Sequence, residues 1–254
     1  MAYGLLKGKR GIISGALDEN SIAWKVALKA KEEGATFTLT NAPIAMRMGA
    51  IQQLSETCDA PIIAADATAT DDIEKLYSAS MEALGGKIDF VLHSIGMSPN
   101  IRKGREYGNL NYDWYLKSMD VSALSLHKFL HVAEKMDALN EWASVVGLSY
   151  IAAQRTYPFY TDMAEAKAML ESIARSYGYR YGKAKKVRVN TVSQSPTKTT
   201  AGTGIGGFDA FYEFAEKMSP LGNASAESCA DYVVTLFSDL TRMVTMQNLY
   251  HDGG

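Results

Sequence analysis

Two cysteines in 254 residues, Cys58 and Cys229, are too few for a disulfide framework. They lie far apart without metal-ligand spacing, which places the chain in a reducing compartment and makes a cytoplasmic protein the expectation. Charge of one sign is also lacking: 26 Lys and Arg stand against 28 Asp and Glu, a net charge of −2. A nucleic-acid partner would need a basic excess gathered on one face, so none is expected. No apolar run reaches the length that spans a bilayer, and the opening "MAYGLLKGKRGIISG" has no apolar signal core. No linker, repeat or low-complexity segment interrupts the chain. One domain over residues 1–254 is the expectation, in a soluble protein of ordinary apolar and charged content.

What is present is alternation. "RGIISGA", "ATFTLTN", "APIIAADA", "IDFVLHSIG", "WASVVGLSY", "KKVRVNTVS" and "MQNLYHDGG" are short apolar runs that read as seven strands. Between them lie amphipathic segments such as "SIAWKVALKAKEEG", with Ile22, Ala23, Val26, Ala27 and Ala30 on one face and Gly34 as a stop. Strands alternating with helices imply an α/β fold, a single doubly wound parallel sheet (Rossmann-like) with helices on both faces. Ligands in such sheets bind beyond the carboxyl ends of the strands. Gly15, Asp66, Ser94 to Gly96, Tyr150 and Ser193 to Thr199 all follow strands directly.

The first loop, "SGALDENSIAWK", lacks the Gly-x-Gly-x-x-Gly fingerprint. Gly15 can still make the tight turn, and Ser21, just before Ile22, can cap the next helix and offer a hydroxyl to a pyrophosphate. A capped turn with no ligand would look the same. The second strand ends in Asn41-Ala42-Pro43, without the acid that favours NAD, and Arg47 follows. The choice between NADH and NADPH stays open on these residues. Asp66, followed by Ala67, is placed to accept from an adenine amino group, and Gly96 lets backbone approach a cofactor. In "YTDMAEAK", Tyr160 and Lys167 are seven residues apart, on a helix close to two turns and about 20° apart. A tyrosine can give a proton to a developing oxyanion, and a nearby ammonium can lower its pKa and orient a bound sugar.

Taken in order, these pieces resemble the enoyl-acyl-carrier-protein reductases of type II fatty-acid synthesis, a divergent branch of the short-chain dehydrogenases. The matches are Gly15 with "SIA" six residues on, "HSIG" at 93–96, "LSY" at 148–150, Tyr160 with Lys167, "VRVN" at 187–190 and the terminal "DGG". The resemblance implies NADH, with NADPH not excluded, as cofactor and an enoyl thioester on acyl carrier protein as substrate. It also implies a homotetramer, with no nucleic acid and no membrane as partners. By resemblance Tyr160 is the donor to the thioester oxygen, Tyr150 a second phenol of the acyl site beside Met97, and Lys167 the residue on the nicotinamide ribose. Gly15, Ser21, Ile22, Asp66, Ala67, Ser94, Ile95 and Gly96 line the cofactor, and Pro196, Thr197 and Thr199 hold the carboxamide. Residues 197–217 resemble the family's mobile substrate loop and helix. Of their aromatics, Phe208, Phe211, Tyr212 and Phe214, at least half are expected in the core.

The sequence departs from the ordinary short-chain dehydrogenase pattern, which wants a lysine four after the tyrosine; here that position is Ala164. A Tyr-x3-Lys does occur at Tyr179 and Lys183, where it reads as a surface decoy. An ordinary dehydrogenase acting on a carbonyl or hydroxyl, and a non-catalytic nucleotide-binding relative, are the alternatives.

Overall fold

The computed structural model describes residues 2–47, 50–157, 159–203 and 207–254. Six parallel strands, β1 (Arg10–Ser14), β2 (Thr36–Thr40), β3 (Ile88–His93), β4 (Leu139–Ser149), β5 (Arg188–Gln194) and β6 (Asn248–His251), pair in the order β2-β1-β3-β4-β5-β6. The helices are α1 (Ile22–Glu32), α2 (Ile51–Cys58), α3 (Thr70–Leu84), α4 (Pro99–Arg102), α5 (Tyr112–Met119), α6 (Ser125–Lys135), α7 (Thr161–Lys185), α8 (Thr200–Thr203), α9 (Phe208–Met218) and α10 (Ala226–Phe237). A π-helical turn, Asp120–Leu124, joins α5 to α6.

Side chains alternate across each strand, and the two faces feed two cores. Ile13, Leu92 and Val146 point into a core shared with Ala23, Val26 and Ala27 of α1 and Val233 and Val234 of α10. Ile12, Val91 and Val145 point the other way, against Ile73 of α3, Phe129 of α6 and Leu170 of α7. An apolar stripe on α7, Met163, Ala166, Leu170, Ile173, Ala174 and Tyr177, is buried throughout. The Tyr179–Lys183 pair faces outward, its ammonium 5.9 Å from the ring centroid.

Two expectations need correction. The sheet has six strands, because "APIIAADA" contributes only one bridge, Ile62 to Leu39. It runs beside β2 through three hydrogen bonds, from Leu39 N to Pro61 O, Ile63 N to Leu39 O and Ala65 N to Asn41 O. Pro61 has no N–H to extend the ladder. Tyr160 is also not on a helix. It is the N-cap residue of α7, and Thr161 after it has φ +35°, so the two-turn spacing to Lys167 does not apply.

Gly11 shows how tightly the sheet is covered. It is paired with Phe37 and Phe90, and a Cβ built on it would lie 2.1 Å from the Phe90 ring. That ring is stacked on Phe237 at 4.6 Å and cannot swing away freely. Gly11→Ala is therefore expected to destabilise the fold by about 1–3 kcal/mol through overpacking. Urea unfolding checks this; an unchanged midpoint would show that the Phe90–Phe237 stack yields without cost.

Candidate active site

The loops that leave the carboxyl edge of the sheet touch one another. Gly15 has φ +91°, and a Cβ there would sit 1.8 Å from the Ser94 carbonyl oxygen, so only glycine lets the loops after β1 and β3 meet. Ser14 Oγ ties the same pair, donating to Leu92 O at 2.7 Å. Ser21 departs from expectation. It stands at the N-cap of α1, but its hydroxyl makes no cap bond to the helix. Instead it accepts from Leu17 N and Asp18 N at 3.2 and 3.1 Å and so shapes the loop before the helix. Ile22 opens α1, half-buried on the same core.

At the second strand, Asn41 donates to Ala16 O in the loop after β1 and accepts from Ala42 N, while Arg47 is exposed. Asp66 Oδ1 accepts from both the N–H and the hydroxyl of Thr68, and these bonds hold its carboxyl below the usual carboxylate range. Ala67 beside it packs on the core.

Beyond β3 the chain runs through Ser94, Ile95 and Gly96 to Met97, whose N–H donates to Ser122 Oγ in the π-turn at 3.0 Å. A Cβ on Gly96 would lie 3.7 Å from Lys167 Nζ. Lys167 is 8 % exposed, and its ammonium donates to Leu148 O at 2.7 Å. Burial lowers its pKa to about 8, against a smaller opposing effect of Glu171. His93, buried behind it with Nε2 2.7 Å from Ser125 Oγ, is lowered to about 3, first by burial and then by the Lys167 charge.

An aromatic group gathers around Tyr150, just past the end of β4. The rings of Tyr150 and Tyr160 are 5.0 Å apart, Tyr157 lies 5.6 Å from Tyr150, and Phe211 of α9 is 5.2 Å from Tyr157. Burial raises the pKa of both Tyr150 and Tyr160, so both phenols hold their protons at neutral pH. The structure thus brings Tyr150 together with Tyr160, and Lys167 together with Gly96.

The segment after β5 is held through Gln194, which donates to Thr197 Oγ1 and Ala224 O and lies 2.7 Å through Oε1 from His251 Nδ1. Thr197 and Thr199 flank the turn after Pro196, with Thr199 N donating to Thr197 O. Thr200 in α8 donates to Asp18, joining this segment to the first loop. Of the four α9 aromatics only Phe208 is buried; Phe214 is 61 % exposed, and Phe211 and Tyr212 are half-buried. The expectation that at least half would join the core is overturned, because α9 lays its apolar side on other aromatics: Phe211 on Tyr157 and Phe159, Phe208 on Tyr212. Residues 204–206 of the expected substrate loop lie outside the described residues.

Glu171 was not foreseen. Buried one turn after Lys167, it accepts from Ser149 Oγ at 2.7 Å and Gln154 Nε2 at 3.2 Å. Its i+4 spacing from Lys167 was the available signal. Among the described residues no group of three or more His, Cys, Asp or Glu could hold a metal, and no helix is long and apolar enough to cross a membrane.

Residues 15–254 match the family model described as enoyl-(acyl carrier protein) reductase. The chain belongs to this family. Among its relatives is enoyl-[acyl-carrier-protein] reductase [NADH] 1 of Rhizobium meliloti, 34 % identical over 264 residues, covering 100 % of this chain and 92 % of that protein. The crystal structure of the FabI–NADH complex from Alistipes finegoldii is 64 % identical, with a TM-score of 0.98 over 99 % of this chain and 89 % of that one. The reductase (NADH) of Aquifex aeolicus VF5 superposes with a TM-score of 0.90 at 30 % identity, covering 98 % and 97 %. Family membership sets aside the ordinary dehydrogenase reading.

Because the Lys167 pKa falls from 10.5 unfolded to about 8 folded, the unfolded chain binds more protons between those values. Stability from this group is therefore present above about 10.5 and lost as pH falls through 8. Replacing Lys167→Met should stabilise the protein at pH 7 by up to about 3 kcal/mol more than at pH 10.5. Paired denaturation curves at the two pH values test this; an equal effect at both would mean that the ammonium is not desolvated.

Proposed function

We propose that this chain reduces the trans-2 double bond of enoyl thioesters carried on acyl carrier protein, using NADH, in the cytoplasm and as a homotetramer. The observation that carries this reading is the buried Lys167 ammonium beside Gly96, on the same helix that Tyr160, ring to ring with Tyr150, precedes.

The site fits a dinucleotide. The Gly15–Ser94 contact leaves backbone, not side chain, at the mouth of the first loop. Lys167 carries three donors, and Leu148 O takes one of them; ribose hydroxyls suit the remainder, since an ammonium so enclosed needs polar partners. Gly15, Ser21, Ile22, Asp66, Ala67, Ser94, Ile95 and Gly96 would line the cofactor, with Pro196, Thr197 and Thr199 at its carboxamide. When bound, the reduced nicotinamide supplies hydride to the β-carbon of the substrate.

The chain's own residues manage the charge that follows. As the bond to the β-carbon forms, electrons shift to the thioester oxygen and an enolate develops. Tyr160, protonated and out of water, donates a hydrogen bond to that oxygen, an interaction strongest when the charge is greatest. Lys167 adds a positive charge that favours the same anion. Tyr150 and Met97 border the acyl group, and Tyr157 with Phe211 helps keep water from it. Protonation at the α-carbon completes the reduction. Residues 197–217 serve as the closing segment over the acyl chain. Docking of the acidic carrier draws on Lys198, Lys217, Arg102, Lys103 and Arg105; Lys198 now rests 4.4 Å from the centroid of the Tyr212 ring.

Purified protein mixed with enoyl-acyl carrier protein and NADH should consume nicotinamide absorbance rapidly. Tyr160→Phe should lower kcat by about 100-fold or more, as loss of one oxyanion donor does. Lys167→Ala should act mainly on NADH affinity. Unchanged turnover in folded Tyr160→Phe would remove that phenol from the mechanism.

A further inference from the structure

Next to Tyr160 lies a buried carboxylate that the reaction does not use. Asp162 is fully buried, and among the described residues no Lys or Arg pairs with it. A buried charge without a cation is costly unless hydrogen bonds surround it. Here they do. Oδ1 accepts from Ser98 Oγ at 2.7 Å and Thr161 Oγ1 at 3.0 Å; Oδ2 accepts from Asn100 Nδ2 at 3.0 Å and from Ser118 Oγ at 2.7 Å, whose one proton also has Trp114 O within 2.8 Å. These donors come from three places: the turn entering α4, the end of α5 and the start of α7.

The same three places form the seat of Tyr160. Its ring packs with Met119 of α5 against Ile101 of α4 and Met163 and Ala166 of α7. Ser98, bonded to Asp162, also accepts from Ile101 N. Between Tyr160 and Asp162 stands Thr161 at φ +35°, a conformation that costs a β-branched residue of order 1–3 kcal/mol and persists only where the surroundings impose it. Asp162 is the residue with enough bonds to impose it. The Asn100 amide is oriented by both backbone groups of Asn111, so its N–H must face an acceptor at Oδ2.

We propose that Asp162 is a positioning residue for the reduction, holding Tyr160 and the turn at 98–101 in one fixed relation through its four hydrogen bonds. The proposal rests on the donor role of Tyr160. It predicts that a neutral, nearly isosteric side chain will disturb catalysis more than it disturbs the cofactor.

The test compares Asp162→Asn, Tyr160→Phe, the double variant and Glu33→Gln, measuring kcat with crotonyl-CoA, NADH affinity by fluorescence, and Tm. Glu33 is an equally buried carboxylate remote from the site, accepting from Tyr3 N and Leu5 N, and serves as the control. Asp162→Asn is expected to lose about ten-fold in kcat with NADH affinity within two-fold, and to add nothing in the Tyr160→Phe background. Glu33→Gln is expected to lower Tm and leave kcat unchanged. A fall in kcat of less than three-fold, a parallel loss of NADH affinity, or full additivity with Tyr160→Phe each overturns the proposal. Should Asp162→Asn not fold, Ser118→Ala removes a single donor and should still lower kcat two- to five-fold; no change there overturns it equally. If Tyr160→Phe itself retains turnover, the donor reading fails, and that result is separate from the Asp162 outcome.

Discussion

The ammonium of Lys167 is shut against the carboxyl edge of the sheet, and its surroundings are arranged around the cost of keeping a charge there. One proton goes to the carbonyl of Leu148 at the end of β4. Glu171, one turn along α7, supplies a compensating charge while bonding the Ser149 hydroxyl, so helix and strand end are tied at the same level. His93 behind it stays neutral, first through its own burial and then through this charge. Gly96 passes close by, a Cβ built there lying 3.7 Å from the nitrogen.

The loops around it are bound to each other rather than to the sheet alone. Gly15 meets Ser94 backbone, Asp18 receives Thr200, and Gln194 reaches His251 from the final strand. His251 in turn lies 3.2 Å from Ser228 of α10. The last strand therefore supports the segment that would hold the nicotinamide, although it carries none of the assigned site residues.

Much of this was legible in the sequence, for reasons that can be named. Apolar runs mark strands because a parallel sheet is buried on both faces, and the α7 stripe follows from helical periodicity against a core. Residues after strands mark the site because the topology gathers those loops at one edge. What escaped was decided by partners distant in sequence. The 60–67 run is apolar enough for a strand, yet whether it forms a ladder depends on how far β2 continues beside it. Ser21 has the chemistry of a cap, but its hydroxyl found Leu17 and Asp18 N–H groups nearer. Tyr160 lies in sequence continuous with α7, yet the positive φ of Thr161 leaves it at the N-cap. Glu171 and Asp162 look in sequence like any solvated helix carboxylates.

Thr161 sets stability and turnover at odds within a single codon. A glycine there would adopt the same backbone at no steric cost, while giving the unfolded chain more freedom to lose. It would also remove a hydroxyl from the Asp162 cluster and the stiffness that a β-branched residue gives to the turn. The strain at Thr161 and the rigidity of the turn beside Tyr160 are thus two aspects of one residue, and relieving the first gives up the second.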